Sequence, residues 1–198
     1  VPEMFGAEKL LMKRCENEKV FNKCVNMINS FKQYFFSHNQ ECYENPSPGN
    51  HDGGITTLEE KSLGCIQKGG KAIITDVLEY GEHCKKQGLN LLTGPGNDIV
   101  STTNLTAAGA NIILFTTGRG TPLGASVPTI KISSNSRLAK RKSNWIDFNA
   151  GELIESNDFE NMTEEIFKLL IDIASGRQTK NEQNGYRDIS IFKDGVIM

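Results

Sequence analysis

The chain reads as an α/β protein built on a mostly parallel sheet flanked by helices. Strand-like apolar runs alternate with helical patterns along its whole length. One of them, IILF at 112–115, is apolar without alternation, as expected for a strand covered on both faces. Corners rich in glycine, threonine and asparagine follow these runs directly, where α/β sheets place their sites.

Residues 6–15 suggest a helix start with Leu10, Leu11 and Met12 inward. Residues 18–36 space Val20, Phe21, Cys24, Val25, Ile28, Phe31, Tyr34 and Phe35 helically. Thr57 is placed to cap a helix over 58–67, with Glu60 completing a capping box. Residues 73–80 could begin as strand and end as helix. Residues 89–92 predict a short strand, and Asn97 or Asp98 caps a helix running to 108. Further strands are expected at 111–116, 127–132 and 145–148, and a short helix at 135–140. Ile166, Leu169, Leu170 and Ile173 form the inner face of an amphipathic helix over 162–175. Residues 189–196 could close a sheet edge.

A chain of 198 residues makes one domain, or one with an appendage. Its 37% hydrophobic content suffices for a core. A net charge of -2 excludes a surface built to track nucleic acid. No apolar stretch approaches the ~20 residues of a membrane span. The cysteines are odd in number and lack a CxxC pair, which fits reduced thiols in the cytoplasm.

The chemistry concentrates in a few segments. NPSPGNHDGGITTLEEKSLG at 45–64 combines prolines, glycines and hydrogen-bonding side chains before a helix. Asn45, Ser47, Asn50, Thr56 and Thr57 could contact hydroxyls, and Glu59 and Lys61 are candidate acid/base groups. The plain alternative for these charges is the first turn of an exposed helix. GPGND at 94–98 exposes backbone N–H groups where a carboxylate is favoured, which makes Gly94, Gly96 and Asn97 binding candidates. It could equally be a tight turn with Asn97 as N-cap. In FTTGRGTPLG at 115–124, Arg119 can meet a carboxylate in bidentate fashion while Thr116, Thr117 and Thr121 bind hydroxyls. The alternative there is a surface loop with a solvated arginine. Lys131, Asn135 and Asn149 stand at later strand ends; Asn135 could instead be an N-cap, and Asp147 a structural acceptor. Four such corners, after 92, 115, 132 and 148, are expected on one edge of one sheet. No dinucleotide fingerprint or Walker motif is present, which argues against a nucleotide cofactor.

Taken in order, NPSPGN, GGITTLEEKSLG, GLNLLTGPGND, LFTTGRGTPLG, KISSNS and WIDFNAG resemble the C-terminal domain of the altronate and galactarate dehydratases, whose relatives include sulfolactate sulfo-lyases. The resemblance runs from PEMFGAE to FKDGV and implies a Rossmann-like three-layer domain. It also implies a larger enzyme whose N-terminal and middle regions are absent here, since the chain starts at Val1 rather than Met, and a homo-oligomer at full length.

The activity so implied is hydro-lyase: water leaves a sugar acid to give a 2-keto-3-deoxy acid. A divalent metal is implied, iron first, with manganese or magnesium as substitutes. Asp98 and Glu3 are the candidate ligands, their hard oxygens suiting such an ion. Arg119 and Lys131 would neutralise carboxylate charge, and Lys61 or Glu59 would move protons. The alternatives are a non-catalytic sugar-acid-binding or assembly domain, and a domain of a galactarate dehydratase or a sulfolactate sulfo-lyase large subunit.

Overall fold

The computed structural model describes residues 1–41, 46 and 48–195. It is α/β, with helices packed on parallel strands, in two compact units. The first comprises Val1–Gly109 with Ile191–Met198, the second Ala110–Ser190. Among the described residues no helix is long and apolar enough to cross a membrane.

In the first unit, a 3-10 turn at Pro2–Met4 precedes α1 (Glu8–Met12) and the long α2 (Glu18–Ser37). Short α3 (Pro48–Asp52) leads to α4 (Leu58–Gln67). Strands β1 (Ile74–Leu78) and β2 (Leu89–Leu92) pair in parallel, and α5 (Asp98–Ala107) follows. Helix α2 buries Val20, Cys24, Met27, Ile28 and Phe31, an i, i+4 stripe that packs with Phe5, Leu11, Ile66 and Ile74. Phe21 lies off that stripe and is exposed, as is Leu10 of α1, both against expectation. Asn17 caps α2 through Val20 N at 3.0 Å.

The Thr57–Glu60 capping box forms as expected, and Asn97 is the N-cap of α5. Residues 73–80 contain the strand Ile74–Leu78 and no helix. Their β-branched Thr75 and Val77 suit the pairing with β2, and a turn at Glu79 closes on Glu82 before a helix could start. Nor do the described residues of 189–196 make a strand. Instead Phe192 stacks on Phe31 at 6.4 Å, and its backbone N–H donates to the Tyr80 hydroxyl at 3.1 Å. An apolar ring gains more among other rings than at a solvated edge.

The second unit contains β3 (Ile113–Thr117), β4 (Thr129–Ser133), α6 (Ser136–Arg141) and the two-residue β5 (Phe148–Asn149). A 3-10 turn at Ala150–Glu152, α7 (Leu153–Ser156), α8 (Phe159–Ala174) and α9 (Lys180–Gln183) complete it. The sheet order is β3-β4-β5, all parallel. Strand β4 is central and buried throughout. On one face Ile130 and Ile132 meet Ile166, Leu169, Leu170 and Ile173 of α8, the inner face read from the sequence. On the other, Asn181 of α9 donates to Thr129 O at 3.2 Å. Strand β3 departs from expectation: it is a sheet edge, and Leu114 is 51% exposed. The four strand ends also do not share one sheet. Strand β2 belongs to the first unit's pair and only the other three to the second unit's sheet.

The first unit carries an ion pair between Lys23 Nζ and Asp76 Oδ1 at 2.8 Å. The Lys23 hydrogen bond holds the Asp76 carboxyl below its ordinary 3.8. A depressed folded value means the unfolded chain binds the proton first, so stability rises with pH across that window. The contribution is complete above pH 3.8 and lost as pH falls through the depressed value. Denaturation midpoints taken at pH 6 and near pH 3 should therefore fall further for the wild type than for Asp76→Asn.

Candidate functional site

In the first unit the polar groups gather around Lys61. Its ammonium lies 3.3 Å from Glu3 Oε2 and donates to Asn50 Oδ1 at 3.1 Å. Three separate segments thus meet: the amino-terminal 3-10 turn, α3 and α4. The meeting is enforced from below by Ser62, fully buried one residue on, whose hydroxyl donates to the Phe5 carbonyl. A fourth segment joins through Gly96. A Cβ there would stand 3.1 Å from Glu3 Oε1, so the missing side chain leaves room for the carboxylate.

The Gly94–Asp98 stretch is anchored from behind. Gly94 is buried and its carbonyl accepts from the Val1 nitrogen at 2.7 Å. Asn104, 3% exposed, donates to Thr93 O at 2.8 Å and accepts from Gly81 N at 2.7 Å. The Asn97 side chain accepts from Ile99 N and Val100 N, and Asp98 is exposed in the first turn of α5. Around α4, the Thr57 hydroxyl accepts from Glu60 N, while Glu60 Oε2 takes the Thr56 hydroxyl and both their backbone N–H groups. Glu59 is exposed and packs beside the Gly6 backbone. Asn45 and Ser47 lie outside the described residues.

Cys65 sits one turn along α4 from Lys61. Burial pushes its thiol up; Lys68 and Lys61 oppose that shift and Glu3 reinforces it. Cys15, Cys24, Cys65 and Cys84 are free thiols.

The second unit brings its own set together at the carboxyl ends of β3, β4 and β5. Asn135 caps α6 through Leu138 N at 2.8 Å, and its amide donates to Gly118 O at 3.0 Å, tying the β3 loop to the β4 loop. Asn149 ties in the third, donating to Ser136 Oγ at 3.1 Å. Within the Arg119 loop, Thr117 Oγ1 accepts from Gly120 N at 2.9 Å and Thr121 Oγ1 from Leu123 N at 3.4 Å. Thr116 and Arg119 are exposed.

Lys131 has a different setting. It is fully buried, with Nζ donating to Leu123 O at 2.6 Å and lying 4.2 Å from the Phe115 ring centroid. It holds the Arg119 loop from beneath instead of facing solvent. Asp147 accepts from Lys131 N and Lys180 N, each at 2.8 Å. Burial raises its carboxyl pKa, with those two N–H groups working the other way.

Three residues that the sequence reading passed over matter here. Ser62 and Asn104 are polar groups on the buried faces of helices, which is the signal that could have found them. Gly151 is the third: a Cβ there would lie 2.4 Å from both Asn135 Cα and Ser136 N.

Glu3 and Asp98 do not make a metal site by themselves. Among the described residues no three His, Cys, Asp or Glu side chains are grouped to hold an ion, and the Glu3 carboxylate is engaged by Lys61.

The fold is α/β, with polar side chains gathered at strand and helix ends. The family model described as D-galactarate/Altronate dehydratase, C-terminal, matches residues 1–197, and the chain belongs to that family. It is 56% identical over 198 residues to the altronate dehydratase of Escherichia coli K12, and 54% identical over 199 to that of Bacillus subtilis 168. Each comparison covers 100% of this chain and 40% of the relative. The galactarate dehydratase (L-threo-forming) of Escherichia coli K12 is 35% identical over 201 residues, covering 100% of this chain and 38% of the relative. The chain thus spans about two fifths of the curated relatives it matches.

Gly151→Ala should lower stability by about 1–3 kcal/mol, because the colliding atoms are backbone and cannot swing aside. A denaturant titration followed by Trp145 fluorescence reads this directly.

Proposed function

We propose that this chain is the C-terminal domain of a sugar-acid dehydratase, acting on altronate or a close relative. The observation that carries the reading is the Glu3–Lys61–Asn50 cluster against Gly96, in a chain 56% identical throughout to an altronate dehydratase. A cation held beside an amide and a backbone turn suits an acidic, hydroxylated substrate.

The reaction removes the proton from C2, next to the carboxylate. The C3 hydroxyl then departs as water, and the enol becomes a 2-keto-3-deoxy acid. The developing negative charge needs fixed positive charge nearby. Lys61 is the proton-moving group of this chain, with Glu59 as the other candidate. The second unit, taken by itself, carries its own polar set: Arg119, exposed on its loop, is suited to a carboxylate, and Thr116, Thr121 and Asn149 to hydroxyls. Lys131 contributes by fixing the Arg119 loop. A divalent ion, iron first, would supply positive charge to the developing enediolate, with Asp98 and Glu3 as this chain's candidate hard-oxygen ligands, joined by others.

The full-length polypeptide, supplied with ferrous iron, should convert altronate or galactarate to a 2-keto-3-deoxy acid, and the 198-residue chain alone should not. No keto product from any sugar acid with the full-length protein would end the reading. In that protein Arg119→Ala should lower kcat/KM about tenfold or more, the loss of one charge-assisted contact to substrate. Asp98→Asn should lower its metal content, and undiminished metal would remove Asp98 from the candidate ligands.

A further inference from the structure

We infer that Glu3 is the positioning residue of Lys61, and that Gly96 is a glycine so that Glu3 can do this. The inference rests on the proposed function only for what Lys61 does; the contact itself stands on geometry. A lysine side chain is a long flexible stem, and an unrestrained ammonium samples many positions. Among its partners are Glu3 Oε2 at 3.3 Å and Asn50 Oδ1 at 3.1 Å. The other Glu3 oxygen is wedged against Gly96, 3.1 Å from where a Cβ would stand. A methyl at 96 would therefore make the carboxylate give by a few tenths of an ångström and disturb its contact with Lys61. The Glu3 backbone cannot retreat, because Phe5 is fully buried and its carbonyl is taken by Ser62.

This arrangement gives Glu3 a different part from that of a metal ligand. The Oε2 oxygen of that carboxylate faces the Lys61 ammonium. The pair is also partly solvated, with side-chain exposures of 20% for Lys61 and 33% for Glu3, so it adds little to stability. Its effect falls on where the ammonium is.

The test uses the full-length enzyme with Glu3→Gln, Gly96→Ala and the double variant, following kcat, KM, bound metal and the denaturation midpoint. Each single variant should cut kcat about tenfold or more with KM within about twofold, and the double variant should be no worse than the worse single. Bound metal should stay at the wild-type level in all three. Losses that multiply, metal that falls with Glu3→Gln, or an unchanged kcat would each overturn the inference.

If Gly96→Ala does not fold, Glu3→Gln and Lys61→Met form the cycle instead. Glu3→Gln should then cost nothing further on the Lys61→Met background, and a further loss would overturn the inference. If the wild-type enzyme dehydrates no sugar acid, the proposed function fails by itself. The contact is then read from the Lys61 ammonium signal by NMR, where a shift on Glu3→Gln upholds the contact and an unmoved signal removes it.

Discussion

The hydroxyl of Ser62, buried beneath α4, meets the carbonyl of Phe5, and the polar cluster of the first unit hangs on that contact. A buried carbonyl without a partner costs about 1–3 kcal/mol, so the amino-terminal segment has one low-energy path across the helix. Phe5 fixes the depth of that path, since its ring is wholly enclosed and meets Phe35 edge to face at 6.4 Å. Once Phe5 and Ser62 are set, Glu3 has little choice of position. The ion pair with Lys61 follows from packing and does not create it. Coulomb attraction between partly solvated charges yields only ~0–1 kcal/mol, too little to drag a chain segment into place.

The second unit solves the same problem with strand register. Pairing Thr116 with Ile132 and Ile132 with Phe148 sets the three strand ends at nearly one level. The loops beyond them must then share a small space. Asn135 and Asn149 fill it with hydrogen bonds, and Gly151 permits the backbone approach. A one-residue slip of β4 would put Lys131 on the Ile130 face and break the set, so register here is held by burial on both sides.

Local signals were legible and long-range ones were not. The Thr57–Glu60 box, the Asn97 and Asn135 caps and the bounds of β2 depend on residues within a few positions of each other. Sequence pattern carries such information directly. Which strands share a sheet depends instead on pairing between distant segments. The assignment of β2 to the β1 pair, away from the other three strands, was therefore not visible. The unbroken apolar run at β3 suggested two covered faces, yet Leu114 is half exposed on an edge strand. At the candidate site, the residue types around Lys61 were legible but their partners were not. Glu3 as a companion of Lys61, and Gly96 as the space for Glu3, emerge only when three segments are brought together.

Lys61 and Lys131 show how burial separates two residues of identical chemistry. The ammonium of Lys131 is wholly enclosed, and its hydration is replaced by a carbonyl and an aromatic face. Withdrawing a charge from water costs several kcal/mol unless such partners are well placed, so that side chain is committed to holding its loop. Lys61 keeps part of its surface in solvent and is restrained by a carboxylate and an amide. It can exchange solvent for a ligand without losing either restraint. Of the two lysines, burial therefore leaves Lys61 partly open to solvent and makes Lys131 the support of the loop that carries Arg119.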